Sequence, residues 1–421
     1  MAKALSGKVY YHDRFAGLLQ REPGGRCAFL YEPAYIEAGG PPISHTLPLR
    51  HAAHRSEGGL HPFFDNLVAE GWLRNAQARA LGVPPDERFA LLLAFGRDCA
   101  GAVSILDPEP IGELELDAAD RESLAALASR ASLSGIQPKI MVARGPRGFQ
   151  PAGPREISTH IAKLPSGQFP DIVALECLTT LAARKLLPAE PIAETEIGAL
   201  GKLAGEALFI RRFDRTADGG KLHFEEFNQL LDKPSDAKYD GAYEDMARFI
   251  RATPGCIPAE AERLFRRVLV CLLLGNTDAH LKNFAMLHTA EGLRLAPSYD
   301  LVATAYYRQF QTVALAMAGT ADIRLGALQP KHVVALGEGY GLAPRAIRLA
   351  VEDLGRRLDE ARTAVSESEF GQAPLKNGIL KIMEKRWNGT FASIGQLLSK
   401  KRAGGERRKG LLRNGSPPSR R

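Results

Sequence analysis

Residues 275–284 have the sequence GNTDAHLKNF, and this stretch decides how the rest of the chain is interpreted. It follows an apolar helical pattern that ends at Gly275. Asp278 and Asn283 stand five positions apart, and Asp300 follows within the sequence SYD. Carboxylate and amide oxygens are hard ligands that suit Mg²⁺, and a further carboxylate can accept the proton of a hydroxyl group. The stretch therefore contains the groups that a site for phosphoryl transfer needs.

Protein kinases use the same spacing between their catalytic aspartate and their metal-binding asparagine. Taken alone, the pattern is more typical of a polar helix end followed by a turn, since Asn, Asp and Gly are common in both. The order of other groups along the chain favours the kinase interpretation, because it is the order in which a kinase uses its parts. These groups are a loop with Gly135, a strand lysine at Lys163 and a helix acid at Glu176.

Lys163 and Glu176 are expected to meet as an ion pair. Lys163 lies near the end of a predicted strand at residues 158–164, and residues 171–187 form a predicted helix because apolar side chains recur every three or four positions. Glu176 on that helix would hold the lysine extended toward the phosphates of a nucleotide. Each residue taken alone is more typical of a solvated charge. Residues 134–139 form neither a Walker A motif nor a G-x-G-x-x-G loop, although their backbone N–H groups could still bind phosphate.

The element pattern predicts a strand-rich first part and a helical second part. Residues up to about 105 alternate short apolar stretches with turns such as EPGGR, which is typical of strands and hairpins followed by a helix. A polar, alanine-rich helix is predicted at residues 117–130, and a small mixed sheet with one helix is predicted around Lys163. Helices dominate from about residue 236. This layout is typical of two lobes with a cleft between them.

Composition places the chain among ordinary globular proteins. Its 421 residues are 45% hydrophobic and 24% charged, which suits two or three domains. No apolar stretch approaches the roughly 20 residues of a membrane span, and the first residues lack the apolar segment of an export signal. Five cysteines without a CxxC pair argue against a disulfide framework and a structural zinc site, and favour a reducing, cytoplasmic location.

The net charge of +7 is concentrated at the end of the chain. Residues 401–421 carry eight Lys and Arg and one Glu, so the rest of the chain is balanced. The tail is also rich in Gly, Pro and Ser and is predicted to be disordered. It is either a solubilising tail or an electrostatic tether to nucleic acid or another acidic surface, and the sequence leaves both open.

Several segments together carry a resemblance to one family. In chain order they are SLSGIQPK (132–139), HIAKLP (160–165), ALECLTTLAARK (174–185), LFIRRFDR (208–215), HFEEFNQLL (223–231), GNTDAHLKN (275–283) and SYDLVAT (298–304). This order resembles the HipA family of serine/threonine protein kinases, the toxin half of bacterial HipBA toxin–antitoxin modules. GLHPFFDNL (59–67) resembles that family's first subdomain. The resemblance covers roughly residues 1 to 320.

The resemblance implies an α+β fold that is two-lobed and protein-kinase-like, related to lipid kinases, with a β-rich N-terminal subdomain and a mostly helical C-terminal lobe. It divides the chain into four predicted parts. These are an N-terminal subdomain (1–115), a nucleotide-binding N-lobe (116–235), a helical C-lobe with the catalytic and metal-binding loops (236–398) and a basic tail (399–421).

ATP and Mg²⁺ are the cofactors that the resemblance implies. Asp278 would be the catalytic aspartate, and Asn283 and Asp300 would hold Mg²⁺. Lys163 would anchor the phosphates with Glu176 as its ion-pair partner. The other implied ATP contacts are Ser134, Gly135, Ile136, Gln137, Pro138, Lys139, Glu225, Glu226, Phe227, His280, Lys282 and Tyr299.

The resemblance also implies self-inhibition. Ser132 aligns with the serine that such kinases autophosphorylate, which pulls the loop out and disables ATP binding, and Ser134 is a second possible acceptor. Negative charge added inside a phosphate-binding loop would repel the nucleotide. Two departures from the family pattern are Pro138, which removes a backbone donor where some members carry an acid, and Leu175, where asparagine is common. Neither removes a catalytic group.

The function that follows is a toxin kinase acting on a translation component such as an aminoacyl-tRNA synthetase. Its implied partners are a small HipB-like helix-turn-helix antitoxin and, through that antitoxin or the basic tail, DNA; no membrane partner is implied. Two alternatives stay open. D-x-H-x-x-N also resembles lipid and small-molecule kinases, and the chain could be a non-catalytic corepressor that joins a DNA-binding antitoxin.

Overall fold

The structure, a computed structural model, describes residues 5–107, 137–146, 148–153, 156–200 and 204–398. Within these ranges the chain forms two compact units. The first comprises residues up to Thr180, Pro191–Asp240 and His280–Asp300, and the second comprises Leu181–Glu190, Gly241–Ala279 and residues from Leu301 onward. The predicted helix at 117–130 and the basic tail lie outside the described residues, and the four predicted domain boundaries remain predictions.

The first unit begins with an antiparallel sheet in the order β4-β3-β2-β1-β5. Its strands are β1 (Ser6–Tyr11), β2 (Arg14–Arg21), β3 (Cys27–Tyr31), β4 (His54–Ser56) and β5 (Val103–Leu106). Its helices are α1 (Pro33–Glu37), α2 (Pro62–Asp65), α3 (Gly71–Leu81) and α4 (Arg88–Phe95). Alternate residues of β1 are buried, as one covered face of a sheet requires. Strands β1 to β3 precede the helices, which confirms the prediction of strands and hairpins followed by a helix. The core of this region includes Phe29, Phe63, Phe64 and Phe95.

A second sheet carries Lys163 and has the order β7-β6-β8-β10-β9. Its elements are β6 (Lys139–Gly145), β7 (Gly148–Pro151), β8 (His160–Lys163), helix α5 (Ile172–Leu186), β9 (Thr195–Leu200) and β10 (Ala204–Arg211). The prediction of a mixed sheet is wrong, because every neighbouring pair is antiparallel. Helix α5 makes β8 and β9 run in the same direction, but β10 lies between them and pairs antiparallel with both.

A small third sheet follows later in the chain, with the order β11-β12-β13. Its strands are β11 (Phe224–Glu226), β12 (Ala285–Thr289) and β13 (Gly292–Leu295), and the short helix α6 (Phe227–Leu230) continues directly from β11. A 3₁₀ turn at Leu281–Asn283 leads into β12. This sheet therefore brings the segment 223–231 next to the segment that contains Asn283, although they are far apart in the sequence.

The second unit is helical, as predicted. Its helices are α7 (Tyr243–Ala252), α8 (Ala259–Leu274), α9 (Pro330–Gly339), α10 (Pro344–Ser366) and α11 (Ala373–Arg386). Helix α8 ends at Gly275, whose φ of +77° favours glycine, and a Cβ there would lie 2.7 Å from Ile382. None of the described helices combines the length and the apolar composition that crossing a bilayer requires.

Candidate active site

Lys163, Glu176 and Asp300 form one ion-paired group, here called the Lys163 cluster. The Nζ atom of Lys163 lies 2.7 Å from each carboxylate oxygen of Glu176. The same ammonium donates a hydrogen bond to Oδ1 of Asp300. Lys163 and Glu176 are buried, whereas 35% of the Asp300 side chain is exposed. The expected pair of lysine and helix acid is therefore present, and Asp300 joins it from a distant part of the chain.

Local structure explains how these three groups meet. Lys163 is the last residue of β8, and Glu176 lies on α5, the helix that follows this strand. Asp300 comes after β13 and has a φ of +56°, a left-handed conformation that Asp adopts more readily than most residues. Lys139 is the register partner of Lys163 on β6, which places a second lysine at this end of the sheet.

Charge interactions outweigh burial at Lys163 and Asp300. Burial alone would lower the pKa of Lys163, but the carboxylates of Asp300 and Glu176 raise it above its usual range. Burial would raise the pKa of Asp300, but Lys163 and Lys139 lower it well below its usual value. Burial raises the pKa of Glu176. The nearby carboxylate of Asp300 also raises it, whereas Lys163 acts in the other direction. At neutral pH, Lys163 is thus an ammonium and Asp300 is ionised.

Lys139 has the opposite shift. Burial and the positive charge of Lys163 lower its pKa to about 8, although Asp300 and Glu176 act in the other direction. Two lysines side by side in a buried setting repel each other, so the site favours an incoming group with several negative charges.

A cavity in the first unit is lined by seven of the predicted site residues. Its wall includes Lys139, Lys163, Glu226, Lys282, Asn283, Tyr299 and Asp300. Apolar side chains from the two adjoining sheets complete it, among them Met141, Ile161, Ile210 and Phe224. The cavity wall thus combines charged and apolar side chains, as a cleft for a phosphorylated aromatic ligand requires.

The predicted phosphate-binding loop is described only in part. Ser132, Ser134, Gly135 and Ile136 lie outside the described residues. Gln137 is buried and donates a hydrogen bond from Nε2 to the carbonyl of Leu164 at 2.8 Å. The carbonyl of Pro138 accepts a hydrogen bond from the Leu164 N–H at 2.9 Å. Both residues therefore fix the entry to β6 beside Lys139.

The two acidic side chains of the predicted adenine-binding segment, Glu225 and Glu226, lie on opposite faces of β11. Glu226 lines the cavity, and its pKa is raised to about 7 because burial outweighs the attraction of Lys282, 3.6 Å away. The carboxylate of Glu225 instead accepts hydrogen bonds from Ser44 Oγ at 2.6 Å and the His45 N–H at 2.8 Å. Phe227 is fully buried. Alternate residues of a strand face opposite sides, which explains why only one of the two acids reaches the cavity.

The segment around the predicted catalytic aspartate is divided between the two units. Asp278 belongs to the second unit, where its N–H donates a hydrogen bond to Oδ1 of Asn276 at 3.2 Å. His280 is the first residue of the segment that belongs to the first unit. Burial and the nearby Lys238 lower the pKa of His280 to about 3, so its imidazole is neutral at pH 7. The Tyr299 hydroxyl donates to the carbonyl of Lys282 at 2.8 Å.

Sequence reasoning missed the partners that hold Lys282. Glu70, the residue before α3, accepts from Lys282 Nζ at 2.6 Å and from Lys238 Nζ at 2.7 Å. Burial would raise the pKa of Glu70, but these two ammonium groups lower it well below its usual value. No local sequence pattern predicts this ion pair, because Glu70 and Lys282 are 212 positions apart.

Sequence reasoning also left the arginines of LFIRRFDR without a role. Arg212 donates to Asp214 at 2.7 Å and to Asp98 at 3.2 Å, and Arg215 donates to Asp98 at 2.6 Å and to Asp214 at 2.8 Å. These four residues are here called the Arg212 cluster. The motif itself was a signal, since two arginines around an aspartate in a strand-rich region require partners when buried.

The donor set at the cavity fits Mg²⁺. Asn283 and Asp300 present an amide and a carboxylate group to the same cavity, and hard oxygen donors are what Mg²⁺ prefers. Carboxylates and amides also leave coordination positions for phosphate oxygens, as in nucleotide sites. These two residues could therefore hold the ion that the sequence predicts.

Comparisons with known proteins give a consistent result. Residues 131–362 match the profile of the HipA-like C-terminal domain, and residues 7–106 match that of the HipA N-terminal domain. The protein Y4mE of Sinorhizobium fredii, named as a candidate kinase, is 31% identical over 332 residues, which cover 71% of this chain and 77% of that protein. The serine/threonine-protein kinase toxin HipA of Shewanella oneidensis is 25% identical over 394 residues, which cover 86% and 89% of the two chains.

A solved structure shows the same fold. It is the Shewanella oneidensis MR-1 toxin–antitoxin complex of HipA, HipB and its operator DNA, with a TM-score of 0.75 and 21% identity, covering 92% of this chain and 99% of that chain. The predicted α+β fold class is thereby confirmed as the HipA fold. Since the two family profiles match these long ranges and the relatives align over most of their length, the chain belongs to the HipA family.

Proposed function

We propose that the chain is an ATP- and Mg²⁺-dependent serine/threonine protein kinase that acts as the toxin of a toxin–antitoxin pair. The observation that carries this proposal is the Lys163 cluster in the wall of the cavity. One buried lysine bridges a helix glutamate and a partly exposed aspartate, and Asn283 lines the same wall. Phosphoryl transfer needs these groups to position the phosphates and neutralise their charge.

The contacts support the following roles. Glu176 keeps the Lys163 ammonium extended into the cavity, where it would contact the nucleotide phosphates together with Lys139. Asn283 and Asp300 would hold Mg²⁺, which when bound neutralises the phosphate charge. Lys163 is paired with both carboxylates, so giving up Asp300 for a phosphate would still leave it paired with Glu176. Glu226 or main-chain atoms of the segment 225–227 would meet the adenine ring.

Asp278 would accept the proton of the serine or threonine hydroxyl. Its position five residues before Asn283 is the spacing that motivates this role. His280 is neutral and buried, which suits a group that flanks the nucleotide without adding charge.

We also propose a substrate class and a means of regulation. The protein substrate would be a translation component such as an aminoacyl-tRNA synthetase, in a cytoplasmic setting. Ser132 or Ser134 would be autophosphorylated, and the added charge would repel nucleotide phosphates from Lys139 and Lys163. Phosphorylation of either serine would therefore block nucleotide binding and stop the proposed kinase reaction.

A HipB-like antitoxin is the proposed partner. The support is the solved complex of the Shewanella oneidensis toxin with HipB and operator DNA, whose fold this chain shares. Binding to DNA would then be indirect, through the antitoxin or with help from the basic tail. A corepressor role of this kind is compatible with kinase activity.

The proposal is tested with the purified full-length chain, labelled ATP and Mg²⁺, followed by intact-mass measurement. We expect the native protein to carry added phosphate and Asp278→Asn to carry none, while Asp322→Asn, at an exposed aspartate of the second unit, behaves as native. Equal labelling of the native protein and Asp278→Asn would contradict the proposal. Label found only in an added lipid or small metabolite would support the small-molecule kinase instead.

A further inference from the structure

Three side chains with metal-binding atoms gather on the third sheet. His223, Glu225 and His288 place one potential ligand atom each within 4.8 Å of the others. His223 and Glu225 are buried, and 24% of the His288 side chain is exposed. None of the three lines the cavity of the candidate active site, whereas their strand neighbours Phe224 and Glu226 do.

Strand geometry brings these residues together. His223 and Glu225 are two positions apart around the start of β11, so they share one face of the strand. His288 lies on β12, and its N–H donates to the carbonyl of His223 at 2.9 Å, which makes the two histidines cross-strand neighbours. Their ring centroids are 4.5 Å apart. The cluster is therefore fixed by the backbone pairing of two strands rather than by flexible loops.

The carboxylate of Glu225 is held in place by groups from the first sheet's subdomain. Oε2 accepts from Ser44 Oγ at 2.6 Å, and Oε1 accepts from the His45 N–H at 2.8 Å. Oε1 also shares a hydrogen bond with Nε2 of His288 at 2.9 Å. Metal-binding carboxylates are typically oriented by such outer hydrogen bonds.

His223 provides evidence for a ligand site that is independent of this clustering. It is only 3% exposed, yet its Nε2 has no hydrogen-bond partner among the residues that the structure describes. Its Nδ1 accepts one long hydrogen bond, 3.4 Å, from the Ala102 N–H. A cation bound at Nε2 requires the proton on Nδ1, so binding would give up this long hydrogen bond.

We infer that His223, Glu225 and His288 form a binding site for a divalent cation of the zinc class. Two imidazoles and one carboxylate are a known three-ligand set for zinc, with a fourth position left for water or another donor. Nitrogen donors favour such ions over Mg²⁺. The sequence argued against a structural zinc site from its cysteines, and this donor set uses none.

Binding has a defined proton balance and a defined structural effect. A cation bound at Nε2 of His288 replaces the proton shared with Glu225: in a neutral ring that proton moves to Nδ1, and from an imidazolium it goes to solvent. Both strands of the pair β11-β12 would then be joined through the ion, together with the Ser44–His45 segment that bonds to Glu225. The site lies beside the wall of the nucleotide cavity, but it does not depend on kinase activity.

The test is a Co²⁺ titration of the chelator-treated full-length protein without ATP, followed by visible absorption. We expect one saturable site whose absorption survives excess Mg²⁺ and disappears on addition of Zn²⁺. His223→Gln and His288→Gln should each weaken binding by about 100-fold or more. Asp300→Asn should bind as native, which separates this site from the proposed Mg²⁺ site, and so should His51→Gln, at an exposed histidine elsewhere.

Thermal unfolding of the native chain tests the site without any substitution, so the result does not depend on whether a variant folds. Zn²⁺ should raise the thermal unfolding midpoint of the native chain, and a chelator should reverse the rise. The inference is wrong if the native chain shows no saturable Co²⁺ binding, or if both histidine variants, folded by circular dichroism, bind Co²⁺ as tightly as the native chain.

Discussion

The Lys163 cluster and the Arg212 cluster are both groups of paired charges, but they differ in exposure to solvent. The Arg212 cluster has two arginines and two aspartates, each aspartate bonded to both arginines, and no side chain in it is more than 12% exposed. The Lys163 cluster has one ammonium for two carboxylates, and the Asp300 side chain is 35% exposed. A closed group in which every charge is paired fixes one arrangement, whereas in an open group the shared ammonium can exchange one carboxylate for a ligand.

We therefore expect the two clusters to have different roles within the first unit. Arg212 and Arg215 also donate to the Cys99 carbonyl at 3.1 and 3.0 Å, so their guanidinium groups fasten the second sheet to the end of the first. The Lys163 cluster instead ends in a cavity that Asn283 also lines. We expect substitutions in the first to change stability and those in the second to change catalysis.

Asp300→Asn should give the largest effect. Loss of the carboxylate removes a proposed Mg²⁺ ligand, so phosphate transfer from ATP should fall by about 1,000-fold or more. The free energy of unfolding should change little, because Glu176 still neutralises Lys163. Single-turnover kinetics and urea unfolding measure the two quantities. The matched control is Asp171→Asn, at another aspartate with left-handed backbone that is exposed, and transfer retained in Asp300→Asn would show that the cluster is structural.

Asp98→Asn tests the other side of the comparison. The two arginines would keep only Asp214 as an acidic partner, so the free energy of unfolding should fall by about 3 kcal/mol. Burial would raise the pKa of Asp98, but Arg212 and Arg215 lower it well below its usual value. The stabilisation is therefore present above about pH 4 and is lost as the pH falls through the folded-state pKa. Urea unfolding at pH 7 and in acid should show the difference between native and variant shrinking, and a constant difference would contradict this account.

Lys163→Met should lower both properties. Transfer should fall by about 100-fold because the phosphates lose an ammonium, and stability should fall because Glu176 is left buried without a cation. Adding Glu176→Gln should restore the stability but not the activity, since glutamine carries no charge to compensate. Thermal unfolding of the single and double variants provides the comparison. If the double variant is as unstable as Lys163→Met, the loss comes from packing rather than from charge.

The smallest expected effect is on the pH dependence of nucleotide binding. The pKa of Lys139 is lowered to about 8, so its positive charge is present at pH 7 and lost as the pH rises through 8. Affinity for ATP should therefore fall a few-fold between about pH 7 and 9. Lys139→Arg stays charged over this range and should flatten the profile in calorimetric titrations. A profile that is unchanged in Lys139→Arg would exclude Lys139 as the cause.

Much of the site could be predicted from the sequence, because its parts lie on elements with strong local patterns. The strand that ends at Lys163, the helix that carries Glu176 and the helix end at Gly275 all follow from periodicity and from glycine. Their chain order favoured one shared nucleotide site, but it did not predict the direct hydrogen bond between Lys163 and Asp300. The roles of the individual site residues remain predictions.

Other features had no local signal. The pair of Glu70 and Lys282 and the bonds between Asp98 and the two arginines join residues more than a hundred positions apart, where no periodicity operates. The antiparallel second sheet depends on β10 lying between β8 and β9, which is a matter of tertiary pairing. The His223, Glu225 and His288 group likewise exists only because β11 pairs with β12.

The most direct test of the central claim is a crystal structure of the chain with Mg²⁺ and a non-hydrolysable ATP analogue. The account predicts phosphates in contact with Lys163, which keeps its bond to Glu176, and Mg²⁺ bound by Asn283 and Asp300. A nucleotide bound elsewhere on the chain, with Lys163 still bonded to Asp300 and the cavity unchanged, would contradict it.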